Sequence, residues 1–207
     1  KLMRDLRAMW SQVLTIALVV ASGVAGFITT LSAVDSLALA RDRFYAEARF
    51  ADVFAGLKRA PLTVADTLRA LPGVADVQTC VEVAVRVEIE GRSEPIVGQL
   101  IGVDPRRPAR MNLVVLRGAA AAPSPGPPLA DGSIPAWVSE SFATANQLKP
   151  GSRLSALING KRRTLLMTGV ALSPEYVFAG LWGMPDQRGF GVFWVDHEAL
   201  AAAFDMA

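Results

Sequence analysis

The N-terminal part of the chain carries a long, uninterrupted apolar run. Residues 11–34 (SQVLTIALVVASGVAGFITTLSAV) include no charged side chain over 24 positions. A helix of that length rises about 36 Å at 1.5 Å per residue, which exceeds the roughly 30 Å hydrocarbon core of a bilayer. The pattern therefore predicts a membrane-spanning helix over residues 11–34.

A secretory signal peptide is the alternative interpretation of this run. The basic start of the chain, together with the small residues Gly23 and Ala25, resembles a signal peptide with a cleavage site. The apolar core of a signal peptide is about 7 to 15 residues long, whereas this stretch continues through Phe27 and Leu31. We therefore favour a span that is retained in the mature protein.

Basic residues before the span predict its orientation. Lys1, Arg4 and Arg7 lie within residues 1–10, and positively charged flanks of a span stay in the cytoplasm. The main domain after the span is then extracytoplasmic. Residues 1–10 also carry apolar residues at helical spacing, which indicates a cytoplasmic amphipathic flank on the membrane surface; an ordinary basic flank is the alternative.

Small residues follow two rows along the predicted span. Ala17, Ala21 and Ala25 are spaced by four, and so are Ser22 and Gly26. Such rows let another helix approach closely, although alanine and glycine are also common in spans. We interpret these five residues as helix-packing positions. The expected partners, besides membrane lipid, are further transmembrane helices from a continuation of this chain, a second copy or another subunit.

The pattern after residue 34 predicts a mixed α+β domain. Residues 35–50 have helical apolar spacing without Gly or Pro, so they are interpreted as a stalk helix that continues the span. Runs of strands with only scattered helices indicate an α+β class. Strands are predicted at residues 51–57, 77–90, 95–103, 134–138, 153–158, 163–172 and 191–195, and helices at 63–70, 140–148 and 198–204.

A segment rich in Pro, Ala and Gly divides this domain into two parts. Residues 119–132 (AAAAPSPGPPLADG) have no periodicity and predict a linker or a long surface loop. Residues 51–118 form the first part of the domain and residues 133–207 the second. Since the chain ends inside a predicted helix, we expect the second part to continue beyond Ala207.

The charge distribution argues against nucleic-acid binding. The formal net charge of +2 arises within residues 1–7, and residues 8–207 balance 18 basic against 18 acidic side chains. A basic face for nucleic acid is therefore not expected, since the surplus is a flank of the span.

Motifs for catalysis and metal binding are absent from the sequence. There is no GxxxxGK[ST] phosphate loop, and one histidine and one cysteine cannot form the usual zinc sites. Ser139 lacks a GxSxG context. Cys80 is interpreted as a small buried residue. His197 is interpreted as a surface or helix-start residue, with a pH-sensitive contact as the alternative. We expect no catalytic residue, no cofactor and no metal, with an anchored enzyme of unrecognised site as the least favoured alternative.

The sequence SPEY, which ends at Tyr176, is the best remaining polar cluster. Glu175, Tyr176, Phe178 and Trp182 are interpreted as a possible contact loop, with a simple turn as the alternative. The later aromatic residues form either a lining for a lipid-like ligand or a partner, or ordinary core.

Several stretches of the chain are similar to one family. They are RFADVFAGLKRAP (49–61), ALPGVADVQT (70–79), VSESFATANQLKPGSRLSALINGKRRTL (138–165) and GVALSPEYVF (169–178). Together with the basic start, the small-residue-rich span and the stalk, they resemble FtsX/MacB-like permeases of ABC transporters. The resemblance covers the whole chain.

The resemblance implies a fold, a location and a set of partners. It implies the first of four spans, followed by an extracytoplasmic domain like the MacB periplasmic core, in the bacterial inner membrane. A cytoplasmic ABC ATPase would be the partner, and the permease would couple ATP hydrolysis to export, extraction or transmembrane signalling. Lipid-like molecules, peptides and extracytoplasmic adaptors are the implied substrates or partners. Since spans two to four are absent, a single-span membrane-anchored sensor or binding domain is the alternative.

Overall fold

The structure is a computed structural model that describes residues 9–94, 96–118, 122, 124–177, 179–180 and 184–205. The chain divides into two compact units between Ala46 and Glu47. The first unit consists of the N-terminal helix, and the second contains all of the strands.

Helix α1 extends without interruption over Trp10–Glu47, a length of 38 residues. It includes the predicted span and most of the predicted stalk, and none of its residues is buried. Among the described helices, α1 is the one long and apolar enough to cross a membrane. The chain turns after it, where Arg49 adopts a positive φ of 50°.

Four hydroxyl groups of α1 form hydrogen bonds within the helix. The side chains of Thr15 and Thr29 donate hydrogen bonds to the backbone carbonyls of Ser11 and Ala25, at 2.9 and 2.7 Å. Ser22 and Thr30 bond the backbone in the same manner. Because no water is available in a bilayer core to satisfy polar groups, this arrangement suits a helix in hydrocarbon.

The second unit is built on seven strands and three short α-helices. The strands are β1 Glu82–Glu88, β2 Ile96–Val103, β3 Val115–Arg117, β4 Ile134–Ser139, β5 Arg153–Ile158, β6 Lys161–Leu172 and β7 Phe190–Asp196. The helices are α2 Thr63–Arg69, α3 Glu140–Ala145 and α4 His197–Ala203, with a 3₁₀ turn at Pro174–Tyr176.

Six of the strands close into a barrel with the order β6-β4-β7-β2-β1-β5 and back to β6. The pairs β2–β7 and β4–β6 are parallel, and the other neighbours in the barrel are antiparallel. Strand β6 makes closure possible because it is 12 residues long. Its first half pairs with β5 and its second half pairs with β4, while β3 adds to its far end.

The interior of the barrel is filled by side chains that alternate along the strands. Phe193 on β7 is fully buried and meets Phe142 of α3 edge to face, with ring centroids 5.5 Å apart. Leu100, Leu165 and Met167 are at most 1% exposed in the same cluster. A small barrel is packed by its own side chains in this way rather than enclosing a channel.

A second apolar cluster covers the outer wall of β2, β7 and β4. Trp194, Trp137 and Val192 point away from the barrel interior, and Ala179 from the β6–β7 connection packs on them. Tyr176 and Leu116 lie at the edge of this cluster. The β6–β7 connection is therefore held against the barrel wall by apolar contacts.

The α+β class is confirmed, but the finer fold expectation is wrong. A closed six-stranded barrel is not the MacB periplasmic-core fold that the resemblance implied. Residues 119–132 do not separate two subdomains, since strands from both sides of this segment join one barrel. The pairing of β2 with β7, about a hundred residues later in the chain, could not be inferred from local patterns.

Local signals predicted most elements, but they missed the three-residue strand β3 and predicted one strand that does not form. The hairpin of β5 and β6 turns at Asn159 and Gly160, both with positive φ, as an Asn-Gly turn requires. Residues 51–57 were predicted as a strand and form none, because the described part of the chain offers them no strand partner.

Candidate functional site

A cleft of about 370 Å³ lies between α3 and the 3₁₀ turn, at the ends of β4 and β6. Four serine and threonine residues line it: Ser139, Ser141, Thr144 and Ser173. Its other polar lining comes from the Glu140 carboxylate and the Gln187 amide, and its aromatic lining from Trp194 and Tyr176. The volume falls within the range of small-molecule sites, which begin near 300 Å³.

Two buried serines fix the geometry of the cleft. Ser139 ends β4 and is 4% exposed; its Oγ accepts a hydrogen bond from the Val192 N–H at 3.3 Å. Ser173 follows β6 and is 3% exposed; its Oγ caps the 3₁₀ turn by accepting from the Glu175 N–H. The Ser139 hydroxyl therefore holds the end of β4 against the backbone of β7, and the Ser173 hydroxyl holds the start of the 3₁₀ turn.

Tyr176 forms the wall of the cleft that faces Trp194. Its ring stands edge to face on Trp194, with centroids 6.4 Å apart. Its hydroxyl donates a hydrogen bond to Glu82 Oε1 at the start of β1, and Gln99 Nε2 donates to the same oxygen at 2.8 Å. Glu82 thereby anchors the β6–β7 connection across the outer wall of the barrel.

The carboxylates beside Tyr176 shift the pKa values of their neighbours. Partial desolvation raises the pKa of Glu175 above its ordinary value, and the charge of Glu82 acts in the same direction. Burial raises the pKa of Tyr176 as well, since it desolvates the phenolate. The hydrogen bond from its hydroxyl to Glu82 acts in the same direction, because ionisation would lose that bond. Tyr176 therefore remains a neutral hydrogen-bond donor over the whole physiological pH range.

Cys80 is exposed, so its interpretation as a buried residue is wrong. The reason is that β1 begins only at Glu82, so Cys80 precedes the paired part of the strand. Desolvation around the thiol still raises the pKa of Cys80 from 9.0 to about 11, and the carboxylates of Glu82 and Glu175 add to the shift. Its thiolate is accordingly scarce at neutral pH.

The raised pKa of Cys80 predicts an unusual pH profile for alkylation. We expect the rate of iodoacetamide labelling to rise about tenfold per pH unit from pH 8 to 10, because only the thiolate reacts. The labelling rate of a thiol with the ordinary pKa of 9.0 would level off above that pH. Labelling of the detergent-solubilised chain, followed by mass spectrometry, measures this profile.

Glu82→Gln provides the control for that measurement. It removes one of the charges that raise the pKa of Cys80, so the profile should bend at lower pH. A wild-type profile that already levels off at pH 9 would contradict the environment described for the thiol.

The cleft has groups suited to binding a small polar molecule. Its hydroxyls can donate and accept hydrogen bonds, and Glu140, whose carboxylate lies 3.7 Å from Arg117, adds negative charge. The residues lining the cleft include no histidine or cysteine. Within the described ranges, no cluster of His, Cys, Asp and Glu side chains could hold a metal ion.

The structure brings some of the sequence-predicted residues together. Glu175 and Tyr176 lie beside the cleft, while Phe178 and Trp182 of the expected contact loop lie outside the described residues. The expected helix-packing residues are all exposed on α1. His197 begins α4, as predicted, and lies against Gly102 of β2.

Other residues of the cleft carried no sequence signal. Ser141, Thr144 and Gln187 come from two segments about 40 residues apart, and a serine or threonine in a short helix has no distinctive spacing. The described aromatic residues of β7 prove to be core, since Phe190, Phe193 and Trp194 are at most 8% exposed.

Comparisons with known proteins did not identify a family. No protein-family model matches the chain. No curated protein matches it at a significant level either.

Proposed function

We propose that this chain is the first span and the extracytoplasmic domain of a permease subunit of an ABC transporter. In this proposal its N-terminus lies in the cytoplasm of a bacterium and ATP is hydrolysed by a partner subunit. The observation that carries the proposal is the asymmetry of residues 20–33 of α1, where large apolar side chains lie on one side and small side chains on the other. Nearer the N-terminus, Leu14 and Leu18 lie on the same side as the small residues, so the asymmetry belongs to the later part of the span. The barrel does not contribute to it, since its fold differs from the MacB core.

The bulky face of α1 is suited to lipid. At about 100° per residue, one side of the helix presents large apolar side chains over five turns. They are Val13, Ile16, Val20, Val24, Phe27 and Leu31, and their exposure ranges from 37% to 66%. Large apolar side chains on one continuous stripe are the surface that a span offers to acyl chains.

The small face of α1 is suited to other helices. Ala21, Ser22, Ala25 and Gly26 lie on the side opposite the bulky stripe, and a Cβ added to Gly26 would meet no described atom within 4 Å. The row of small residues that ends at Ala25 and the row that ends at Gly26 are about 100° apart around the helix. The two rows can therefore pack against two neighbouring helices rather than one. A bundle of several spans supplies such neighbours.

The continuity of α1 provides a way to transmit motion. A helix of 38 residues extends about 57 Å, and roughly 27 Å of it remains beyond a 30 Å hydrocarbon core. The helix contains no proline, and its two glycines fall within the predicted span. A displacement of the span is therefore carried to Glu47 with little loss.

A pair of adjacent positions tests this proposal in native membranes. In a Cys80→Ser background, either Ala25→Cys or Val24→Cys provides a single cysteine. A short photo-cross-linker, a diazirine, is attached to that thiol. We expect illumination to link residue 25 to a multi-span protein and residue 24 to lipid, because the two positions lie on different faces of α1. The purified complex should hydrolyse ATP, with the activity in another subunit.

Gly26 supplies a matched pair of variants for the same complex. Gly26→Leu should reduce co-purification of the partner and uncouple ATP hydrolysis from transport, whereas Gly26→Ala should preserve both, because alanine is still small. Capture of a second copy alone, with no ATPase in the complex, would contradict the permease proposal.

The cleft favours a second candidate function, a single-span membrane-anchored binding domain. Four hydroxyls beside a carboxylate suit a neutral polyhydroxyl compound and disfavour anions. Saturation-transfer NMR with neutral monosaccharides would test it, with Ser141→Tyr to fill the cleft. Signals that persist unchanged in Ser141→Tyr, or no signals from the wild type, would rule this candidate out.

A further inference from the structure

We propose that residues 52–58 are an unpaired strand that pairs antiparallel with the same residues of a second copy of this chain, centred on Ala55. This surface, here called the 52–58 segment, has the sequence DVFAGLK. The inference does not require the chain to belong to a permease, although it uses α1 as a membrane anchor. It begins from the failure of the strand prediction over residues 51–57.

The 52–58 segment has the composition of a strand without the hydrogen bonds of one. Val53 and Phe54 favour strands, and none of its residues has a positive φ. Within the described part of the chain, its backbone N–H and C=O groups form no hydrogen bond to another backbone group. Free main-chain groups beside apolar side chains are what strand addition uses.

The segment is held at both of its ends. The Ala51 N–H donates to Asn112 Oδ1 at 3.0 Å, and the Arg59 guanidinium donates to the Phe204 carbonyl at 2.7 Å. Between these two anchors, Val53 is 82% exposed and Leu57 is 67% exposed. The chain bends at Asp52 and Lys58 but at none of the residues between them, so these apolar side chains lie along a short unpaired stretch between the two anchors.

The sequence of the segment is complementary to itself when it is reversed. In an antiparallel pair centred on Ala55, Asp52 lies opposite Lys58 and Val53 lies opposite Leu57. Both charged residues are exposed, and neither has an ion-pair partner among the described residues. The two-fold symmetry forms each pair twice, and opposite charges across strands stabilise a sheet.

The remaining pair also fits a two-fold strand. Phe54 lies opposite Gly56, and an aromatic ring commonly covers a glycine across a strand pair. The arrangement therefore places every member of the segment opposite a residue of suitable size or charge. A second copy is the occupant that this complementarity specifies, since an unrelated strand would match only by coincidence.

A pairing of seven residues is small for a dimer in dilute solution. Stable interfaces bury about 1,200 Å² or more, so the proposed contact depends on a high local concentration. A membrane anchor provides that condition by confining two copies to one surface. The test therefore uses the full chain in membranes.

Single cysteines report the register of the proposed pair. In a Cys80→Ser background, Ala55→Cys should form a disulfide-linked dimer on mild oxidation, because its partner Cα lies about 5 Å away. Val53→Cys alone should not, since the two copies of residue 53 are offset by four positions, or about 13 Å. Mixing chains with Val53→Cys and Leu57→Cys should restore cross-linking.

Charge reversal provides the decisive control. Asp52→Lys should reduce cross-linking through Ala55→Cys about tenfold, because two attractive pairs become repulsive. The double variant with Asp52→Lys and Lys58→Asp should restore it. Linkage of residue 55 to a different protein, absence of any dimer, or no rescue by the double variant would overturn the proposal.

Discussion

Replacing Phe193 with alanine is expected to lower the free energy of unfolding by about 3 to 5 kcal/mol. Phe193 is fully buried at the centre of the barrel and packs edge to face on Phe142. The substitution removes a large apolar surface and leaves a cavity that the closed strands cannot collapse to fill. Domains of this size are stable by roughly 5 to 15 kcal/mol, so the loss is a large fraction of the total.

Urea unfolding of the detergent-solubilised chain, followed by tryptophan fluorescence, would measure this loss. Trp194 is the neighbour of Phe193 on β7 and is 3% exposed, so its emission should report the opening of the barrel. Leu157→Ala is the matched control, because Leu157 is 47% exposed on the outer side of β5. An equal loss in both variants would contradict the assignment of Phe193 to the centre of the core.

The second large effect is expected at two glycines that face each other on β2 and β7. Gly98 and Gly191 are register partners, and their missing side chains make room for aromatic rings. A Cβ on Gly98 would lie 2.5 Å from Val87 Cγ2, and one on Gly191 would lie 2.9 Å from the Phe193 ring. We expect Gly98→Ala and Gly191→Ala each to cost about 1 to 3 kcal/mol through overpacking.

Two further variants identify overpacking as the cause. Gly56→Ala is the control, since a Cβ there meets no described atom within 4 Å, and its effect should stay within about 0.5 kcal/mol. The double variant Gly98→Ala with Val87→Ala removes the clashing methyl group. Its loss should be smaller than the sum of the two single losses, and strict additivity would contradict the contact.

The sequence predicted the elements whose cause is local. The apolar run of α1, the alternation of β1 and the Asn159-Gly160 turn each result from residues close together in the chain. Their periodicity or turn chemistry is sufficient to identify them. The pairing of β6 with both β5 and β4 depends instead on residues far apart, and no local pattern indicates it.

The candidate site was predicted only in part for the same reason. Glu175 and Tyr176 attracted attention as a polar cluster after a strand, but Glu82, the partner of Tyr176, comes from a strand about ninety residues earlier. The exposure of Cys80 was missed because the alternating pattern continues from residue 77, while hydrogen bonding starts β1 at Glu82. A pattern indicates which face a residue prefers, not where pairing begins.

The position of β7 in the barrel has a consequence for the order in which the domain is made. Without β7, the other five strands of the barrel can still form a continuous open sheet in the order β4-β6-β5-β1-β2. This sheet has a gap one strand wide, and β7, with all seven of its residues buried, comes last in the chain among the six barrel strands. During synthesis, the nascent domain therefore exposes an apolar groove until residue 196 has emerged from the ribosome. The period before β7 fills this groove is the stage at which the domain is most prone to aggregate.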